Sequence, residues 1–197
     1  HGLANEFLKR GCKVMVNGRS QESVNKAVSQ LAAKHKSDNV AGHPGDVSRY
    51  EDHQALWDAA EKTFDHVDIW INNAGLGHPM QMVWELPPET VEKVVDVDLK
   101  GVMYGSQVAI KNMLQQGHGH LYNMEGFGSN GRTRPGISVY GATKRGLRFL
   151  TRSLTAETKD TPVKVSALSP GIVITDFITD QYKNDPEGLE QAKGIFN

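Results

Sequence analysis

The feature that most constrains the fold of this chain is the alternation of short apolar segments with longer stretches of helical periodicity. The short segments are residues 13–16, 67–71, 121–124 and 163–168, with a weaker one at residues 39–42. Between them apolar residues recur three and four positions apart, as they do from Val24 to Leu31. Apolar strands that alternate with amphipathic helices predict an α/β fold with a doubly wound parallel sheet and helices on both faces.

Length and composition fit one domain that binds small molecules. The 197 residues, 38% of them hydrophobic, can bury a single core, so we treat residues 1–197 as one domain. A net charge of −1 predicts no nucleic-acid partner. No apolar run approaches the roughly 20 residues of a transmembrane segment, which predicts a soluble, cytoplasmic protein, or a stromal one if the source is a plant. The single cysteine, Cys12, is expected to be at least half-buried.

A helical stripe from Leu3 to Leu8 stands at the very start of the sequence. In a doubly wound nucleotide-binding fold, a central strand and a Gly-rich turn precede such a helix. We therefore expect the domain to be incomplete at its amino end, with that first strand and turn outside these residues. The sequence leaves open whether a last strand or helix of the domain follows Asn197.

Tyr140 and Lys144 are four positions apart at the start of a predicted helix. Such residues share a helical face, with about 5 to 6 Å between their Cβ atoms. A tyrosine with its usual pKa of about 10 is a poor base at neutral pH, but an adjacent ammonium favours the phenolate. The pair predicts acid–base chemistry on an alcohol or carbonyl oxygen. From the spacing alone, the alternative is a surface tyrosine and lysine.

Two predicted strands are followed by turns with small residues. Asn72, Asn73, Ala74 and Gly75 follow the segment 67–71, and residues 170–175 follow the segment 163–168. In an open α/β sheet, ligands bind beyond the carboxyl ends of the strands. Both turns therefore predict ligand contacts, although each one alone is more often structural.

In this order the motifs resemble the short-chain dehydrogenase/reductase family along nearly the whole chain. The resemblance implies a Rossmann-type fold and hydride transfer at a carbon that bears oxygen. It implies that Tyr140 gives or takes the proton, and that Lys144 binds the nicotinamide ribose and lowers the tyrosine pKa. The other cofactor contacts that it implies are Asp46, Val47, Asn73, Ala74, Gly75, Pro170, Gly171, Val173 and Thr175.

The predicted choice of cofactor depends on the charges of the residues that follow the segment 13–16. The residues there include Arg19 and Ser20 and no carboxylate. An acidic residue would bind the ribose hydroxyls of NAD, whereas an arginine and a hydroxyl suit the 2′-phosphate of NADP. The sequence therefore predicts NADP(H) in preference to NAD(H). The alternative is that Arg19 is a solvated residue at a helix entrance.

Two positions depart from the family pattern. Asp98 replaces the usual asparagine in the helix after the Asn-Ala-Gly turn, on the apolar stripe of Val91, Val94 and Val95. It is expected either to organise water and pair with Lys144 or to be a purely structural acid. Gly126 occupies the register of the substrate-binding serine, and Ser129 is the nearest hydroxyl. We expect Ser129 to take the catalytic role if the loop folds back, and to be a turn residue otherwise.

The predicted activity is an NADP(H)-dependent interconversion of a carbonyl and an alcohol, in a homodimer or homotetramer by resemblance. Residues 123–129 and 68–75 also resemble chlorophyll b reductases, which implies a bulky, apolar substrate with a formyl group. Because Asp98 and Gly126 depart from the family, a non-catalytic dinucleotide sensor or scaffold is a further alternative. His78, His118 and His120 lack the spacing to cysteines or carboxylates that defines a metal site, so no metal is predicted.

Overall fold

The computed structural model describes residues 1–170 together with Glu187 and Glu190. Its strands are β1 (Val14–Gly18), β2 (Val40–Pro44), β3 (Ile69–Asn72), β4 (Gly119–Met124) and β5 (Val163–Leu168). All pairings are parallel, in a two-stranded sheet β1-β2 and a three-stranded sheet β3-β4-β5. The predicted α/β architecture, with helices on both sides of parallel strands, is confirmed.

Six α-helices alternate with these strands in the described part of the chain. They are α1 (Gly2–Lys9), α2 (Gln21–Ala32), α3 (Tyr50–Phe64), α4 (Pro88–Val95), α5 (Gly101–Gln116) and α6 (Ser138–Glu157). A π-helical turn, Asp96–Lys100, joins α4 to α5. Short 3₁₀ turns cover Ser37–Asn39 and Val83–Glu85. None of the helices described is both long enough and apolar enough to cross a membrane.

The strand boundaries lie close to the predicted ones. The last strand matches residues 163–168, but β3 begins at Ile69 and not at Val67. The backbone of Val67 is bound by a side chain instead of a strand, because its N–H donates to Gln116 Oε1 at 3.0 Å and its carbonyl accepts from Gln116 Nε2 at 3.1 Å. Cys12 is exposed in the turn after α1, so the prediction that it is buried was wrong.

The largest core cluster lies around the three-stranded sheet. Trp57 of α3 stacks on Trp70 of β3, and both pack with Leu121 of β4 and with Val108 and Met113 of α5. Val108, Met113 and Leu121 have no exposed surface. This core holds the carboxyl ends of β3 and β4 side by side.

Glycines bring α5 close to those strand ends. A side chain at Gly105 would overlap the amide of Asn72, and a Cβ at Gly101 would lie 2.7 Å from the carbonyl oxygen of Val47. Because both positions are glycine, the helix backbone packs directly against the end of β3 and the loop after β2. Within the described residues, β1 and β3 each pair along one edge only. The strand expected before α1 stays a prediction.

Candidate active site

A buried amide network joins the carboxyl ends of β3 and β4. Asn72 and Asn123 face each other in the strand register, and Asn72 Nδ2 donates to Asn123 Oδ1 at 2.9 Å. Trp70 Nε1 donates to Asn72 Oδ1, and Asn123 Nδ2 donates to Thr151 of α6. Buried amides that satisfy one another specify one arrangement of the elements that carry them. The network therefore fixes α6 relative to the two strand ends.

The structure brings Tyr140, Lys144 and Asp98 together. Lys144 Nζ lies 5.4 Å from the centroid of the Tyr140 ring and 3.3 Å from Asp98 Oδ2. The side chain of Lys144 is 5% exposed and that of Asp98 is fully buried. The ion pair between them links α6 to the π-helical turn. Such turns occur mostly as bulges within helices, frequently at functional sites.

Asp98 also holds the loop after β3. The Leu76 backbone N–H donates to Asp98 Oδ1 at 2.6 Å. Oδ2 contacts Lys144 as an ion pair without hydrogen-bond geometry and accepts no hydrogen bond from a described residue. One carboxylate thus connects the small-residue turn to the lysine. Val94 on the same helical stripe is buried, whereas Val95 is exposed, so its predicted inward position was wrong.

Burial dominates the electrostatics of this group. It raises the pKa of Asp98, against the opposing effects of Lys144 and of the Leu76 N–H. It also raises the pKa of Tyr140 to about 12, and the charge of Asp98 adds to that rise. The net effect of these two causes on the Tyr140 pKa is opposite to the lowering that the resemblance implies. A phenol with this pKa stays protonated at neutral pH and is suited to donate a proton.

Gly126 stands directly against the Tyr140 hydroxyl. A Cβ built at Gly126 would overlap that oxygen and would lie 3.5 Å from Lys144 Cε. Position 126 is where the family pattern has its substrate-binding serine. Because it is glycine here, the Tyr140 hydroxyl can occupy the adjacent space.

Ser129 lies in a turn that folds back as expected. Its N–H donates to the Gly126 carbonyl at 3.1 Å, and its own carbonyl accepts from Arg145 Nη1 at 3.0 Å. The residue is only 3% exposed. These contacts give Ser129 a structural role in the turn, and its catalytic role stays a prediction.

The predicted cofactor residues after β3 lie at or near the surface. Asn73 and Ala74 are exposed, whereas Gly75 is half-buried. A Cβ added at Gly75 would lie 3.4 Å from Lys144 Nζ. This small-residue surface beside the lysine is the kind of cradle that a flat cofactor ring requires. Pro170, at the end of β5, is exposed, whereas Gly171, Val173 and Thr175 lie outside the described residues.

The remaining predicted cofactor residues surround the carboxyl ends of β1 and β2. Arg19 is exposed immediately before Ser20, whose side chain caps α2 by accepting from the Ser23 N–H. Arg19 and Asp46 line one cleft. Hydrogen bonds from Ser48 lower the pKa of Asp46. The Val47 carbonyl accepts from His53 Nε2 at 2.8 Å, which holds the loop against α3.

His78 has a structural role that its place in the sequence does not predict. This histidine is buried, and its Nε2 accepts from the Tyr140 backbone N–H at 3.4 Å, while Nδ1 lies 2.8 Å from the Pro79 carbonyl. It therefore caps the first turn of α6, where backbone N–H groups have no helical partner. Nothing in the local spacing indicates this contact, because 62 positions separate the two residues.

A family model described as short chain dehydrogenase matches residues 1–186. The chain belongs to the short-chain dehydrogenase family. Chlorophyll(ide) b reductase NOL, chloroplastic, of rice (Oryza sativa subsp. japonica) is 39% identical over 183 residues, which are 90% of this chain and 53% of the rice protein. The chain thus spans about half the length of that relative.

Solved structures of short-chain dehydrogenases share the fold. A short-chain dehydrogenase/reductase of Burkholderia phymatum in complex with NAD is 28% identical, with a TM-score of 0.83 over 95% of this chain and 67% of that one. The closed form of a serine dehydrogenase complexed with NADP+ is 27% identical, with a TM-score of 0.84 over 96% of this chain and 75% of that one. Dinucleotides of both kinds therefore bind to close structural relatives.

Replacing Gly126 by serine, the usual family residue, is expected to lower turnover. The new Cβ displaces the Tyr140 hydroxyl, and a misplacement of about 1 Å can cost on the order of 100-fold in rate. Steady-state kinetics of Gly126→Ser and Gly126→Ala measure the effect. Gly146→Ala on α6 is the matched control, because its Cβ would make only an ordinary contact, 3.4 Å from Leu99. Turnover at or above the parent level in Gly126→Ser would show that a side chain at position 126 does not displace the Tyr140 hydroxyl.

Removing the charge of Asp98 is expected to lower the pKa of Tyr140, since that charge is one of its two raising influences. In the oxidative direction the phenolate is the base, so activity rises as pH passes the phenol pKa. The rising limb of the pH–rate profile should move to lower pH in Asp98→Asn. The control is Asp58→Asn, on the exposed face of α3. A profile that does not move would show that the charge of Asp98 leaves the phenol unaffected.

Proposed function

We propose that this chain forms the catalytic domain of an NADP(H)-dependent oxidoreductase that interconverts a carbonyl and an alcohol, with Tyr140 as the proton donor and acceptor. The observation that carries the proposal is the Tyr140 phenol beside the buried Lys144–Asp98 pair, next to the exposed small-residue turn Asn73–Ala74. When bound, the nicotinamide dinucleotide supplies or accepts the hydride. The chain's own residues supply the proton and the positioning.

The electrostatics suit Tyr140 as a proton donor. A phenol whose pKa is raised to about 12 is protonated at neutral pH, and it can donate to a carbonyl oxygen as negative charge develops there. Lys144 Nζ, held by Asp98, places a positive charge beside the resulting phenolate. His78 fixes the backbone at Tyr140, so the phenol starts from one position.

The substrate that we propose is a bulky, apolar aldehyde, such as the formyl group of a chlorophyll b-like tetrapyrrole. Identity of 39% to the rice chlorophyll(ide) b reductase supports it. Exposed apolar surface in the loop after β3 supports it as well, because the consecutive residues Met82, Val83 and Trp84 are 41%, 51% and 79% exposed. Contiguous apolar surface of this kind marks sites for ligands or partners.

The non-catalytic alternative, a dinucleotide sensor or scaffold, rested on Asp98 and Gly126. Both substitutions fit an intact site, since Asp98 pairs with Lys144 and Gly126 makes room for the Tyr140 hydroxyl. A chain that only sensed dinucleotides could use Lys144 to bind the ribose, but it would have no need for the Tyr140 phenol beside it. We therefore favour the enzyme.

The test is NADPH oxidation by the complete protein with aldehydes, ketones and chlorophyllide b as substrates. Turnover with a formyl substrate is expected to give the hydroxymethyl product, identified by chromatography. Tyr140→Phe should lose about 100- to 10,000-fold in turnover while it still binds NADPH. Tyr104→Phe on α5 is the matched control. Binding of NADPH without turnover of any substrate in the parent protein would reject the enzyme in favour of a sensor.

Arg19→Ala tests the choice of cofactor. Loss of a charge-assisted hydrogen bond costs about 1.5 to 3 kcal/mol, or roughly 10- to 100-fold in affinity for NADPH. The affinity for NADH is expected to change little, because NADH lacks the 2′-phosphate. Fluorescence titration with both dinucleotides measures this, with Arg152→Ala on the exposed face of α6 as the control. Equal losses for the two dinucleotides would remove Arg19 as the phosphate ligand.

A further inference from the structure

Two histidines and one aspartate meet at the end of the β3–β4 pair that lies opposite the active site. His66 and Asp68 lie between α3 and β3, and His118 lies between α5 and β4. Because Ile69 pairs with His120 in parallel register, the residues just before each strand become neighbours. The His120 N–H also donates to the Asp68 carbonyl at 2.8 Å. Strand pairing therefore places the three side chains together.

Their donor atoms are close enough to share one metal ion. His66 Nε2 lies 3.2 Å from Asp68 Oδ2, and His118 Nε2 lies 3.3 Å from Asp68 Oδ1. One donor atom from each residue can be chosen so that all three lie within 4.8 Å of one another. Tetrahedral zinc, with its ligands at about 2.0 to 2.1 Å, holds them about 3.3 Å apart. Each of the two histidine–aspartate separations has about that length, although each is measured to a different Asp68 oxygen.

The backbone around these ligands is held by one amide. Gln116 donates from Nε2 to the Val67 carbonyl at 3.1 Å and to the His118 carbonyl at 3.0 Å, and its Oε1 accepts from the Val67 N–H. Gln116 thus ties the segment between His66 and Asp68 to His118. These bonds fix the backbone from which the ligand side chains project.

We propose that His66, Asp68 and His118 form a binding site for a divalent transition-metal ion, for which Zn²⁺ is the probe. Two imidazoles and one carboxylate suit zinc, nickel or copper, whereas Mg²⁺ and Ca²⁺ require oxygen ligands. All three side chains are more than half exposed, so the ion can enter directly from solvent. Three protein ligands leave a fourth position for water. The site links the residues that precede β3 with the residue that precedes β4. It shares no residue with the proposed active site.

The test is isothermal titration of the chelator-treated complete protein with Zn²⁺ at a pH where imidazoles are neutral. The parent protein is expected to bind one zinc ion at this site in each chain. The zinc affinity should be at least tenfold weaker in His66→Gln, in Asp68→Asn and in His118→Gln. The matched control is His35→Gln, whose imidazole lies beside Asn5 and not a carboxylate. Excess Mg²⁺ should not displace the zinc.

A second measurement separates loss of the site from loss of the fold. Zinc is expected to raise the thermal unfolding midpoint of the parent and of His35→Gln, and to leave the three site variants unchanged. Without zinc, all five proteins should unfold at similar temperatures, because the substituted side chains lie at the surface. No binding at millimolar zinc, or equal binding by the parent and the site variants, would overturn the proposal.

Discussion

The candidate active site depends on the buried ion pair between Lys144 and Asp98. Removing either charge from water costs several kcal/mol, and breaking such a pair by deleting one partner costs about 3 to 5 kcal/mol. The pair persists because each ion has the other at 3.3 Å and because Asp98 also accepts from the Leu76 N–H. One carboxylate thereby positions the lysine, the loop after β3 and the electrostatic surroundings of the phenol.

Close backbone packing makes this pair geometrically possible. Gly101 and Gly105 let α5 lie against the loop after β2 and the end of β3, and the π-helical turn before α5 carries Asp98 inward. Gly126 lets the phenol occupy the space beside Lys144. Glycine is thus used where a Cβ would separate groups that must meet. A family comparison of Gly126 alone suggests a lost residue, whereas its surroundings show a space filled by Tyr140.

Local patterns predicted the strands, the Tyr140–Lys144 pair and the inward position of Asp98, because each depends on spacing within one element. Contacts between distant segments were not predictable in this way. His78 meets the Tyr140 N–H through a loop, and Gln116 replaces a strand partner at Val67. The local sequence left Ser129 as either a catalytic or a turn residue, and the structure shows a buried turn at that position. Hydrophobic periodicity carries no information about such long-range hydrogen bonds.

The pairing of β3 with β4 sets the geometry at both ends of the sheet. At the carboxyl end it places Asn72 against Asn123, which fixes α6 through Thr151. At the amino end it places Asp68 beside His118. A slip of one residue would turn every side chain of a strand to the other face. It would therefore separate the buried amides and the histidine–aspartate cluster together. The amides resist the slip strongly, because a buried amide without a partner costs about 1 to 3 kcal/mol. The exposed cluster thus inherits its alignment from polar contacts that also organise the active site.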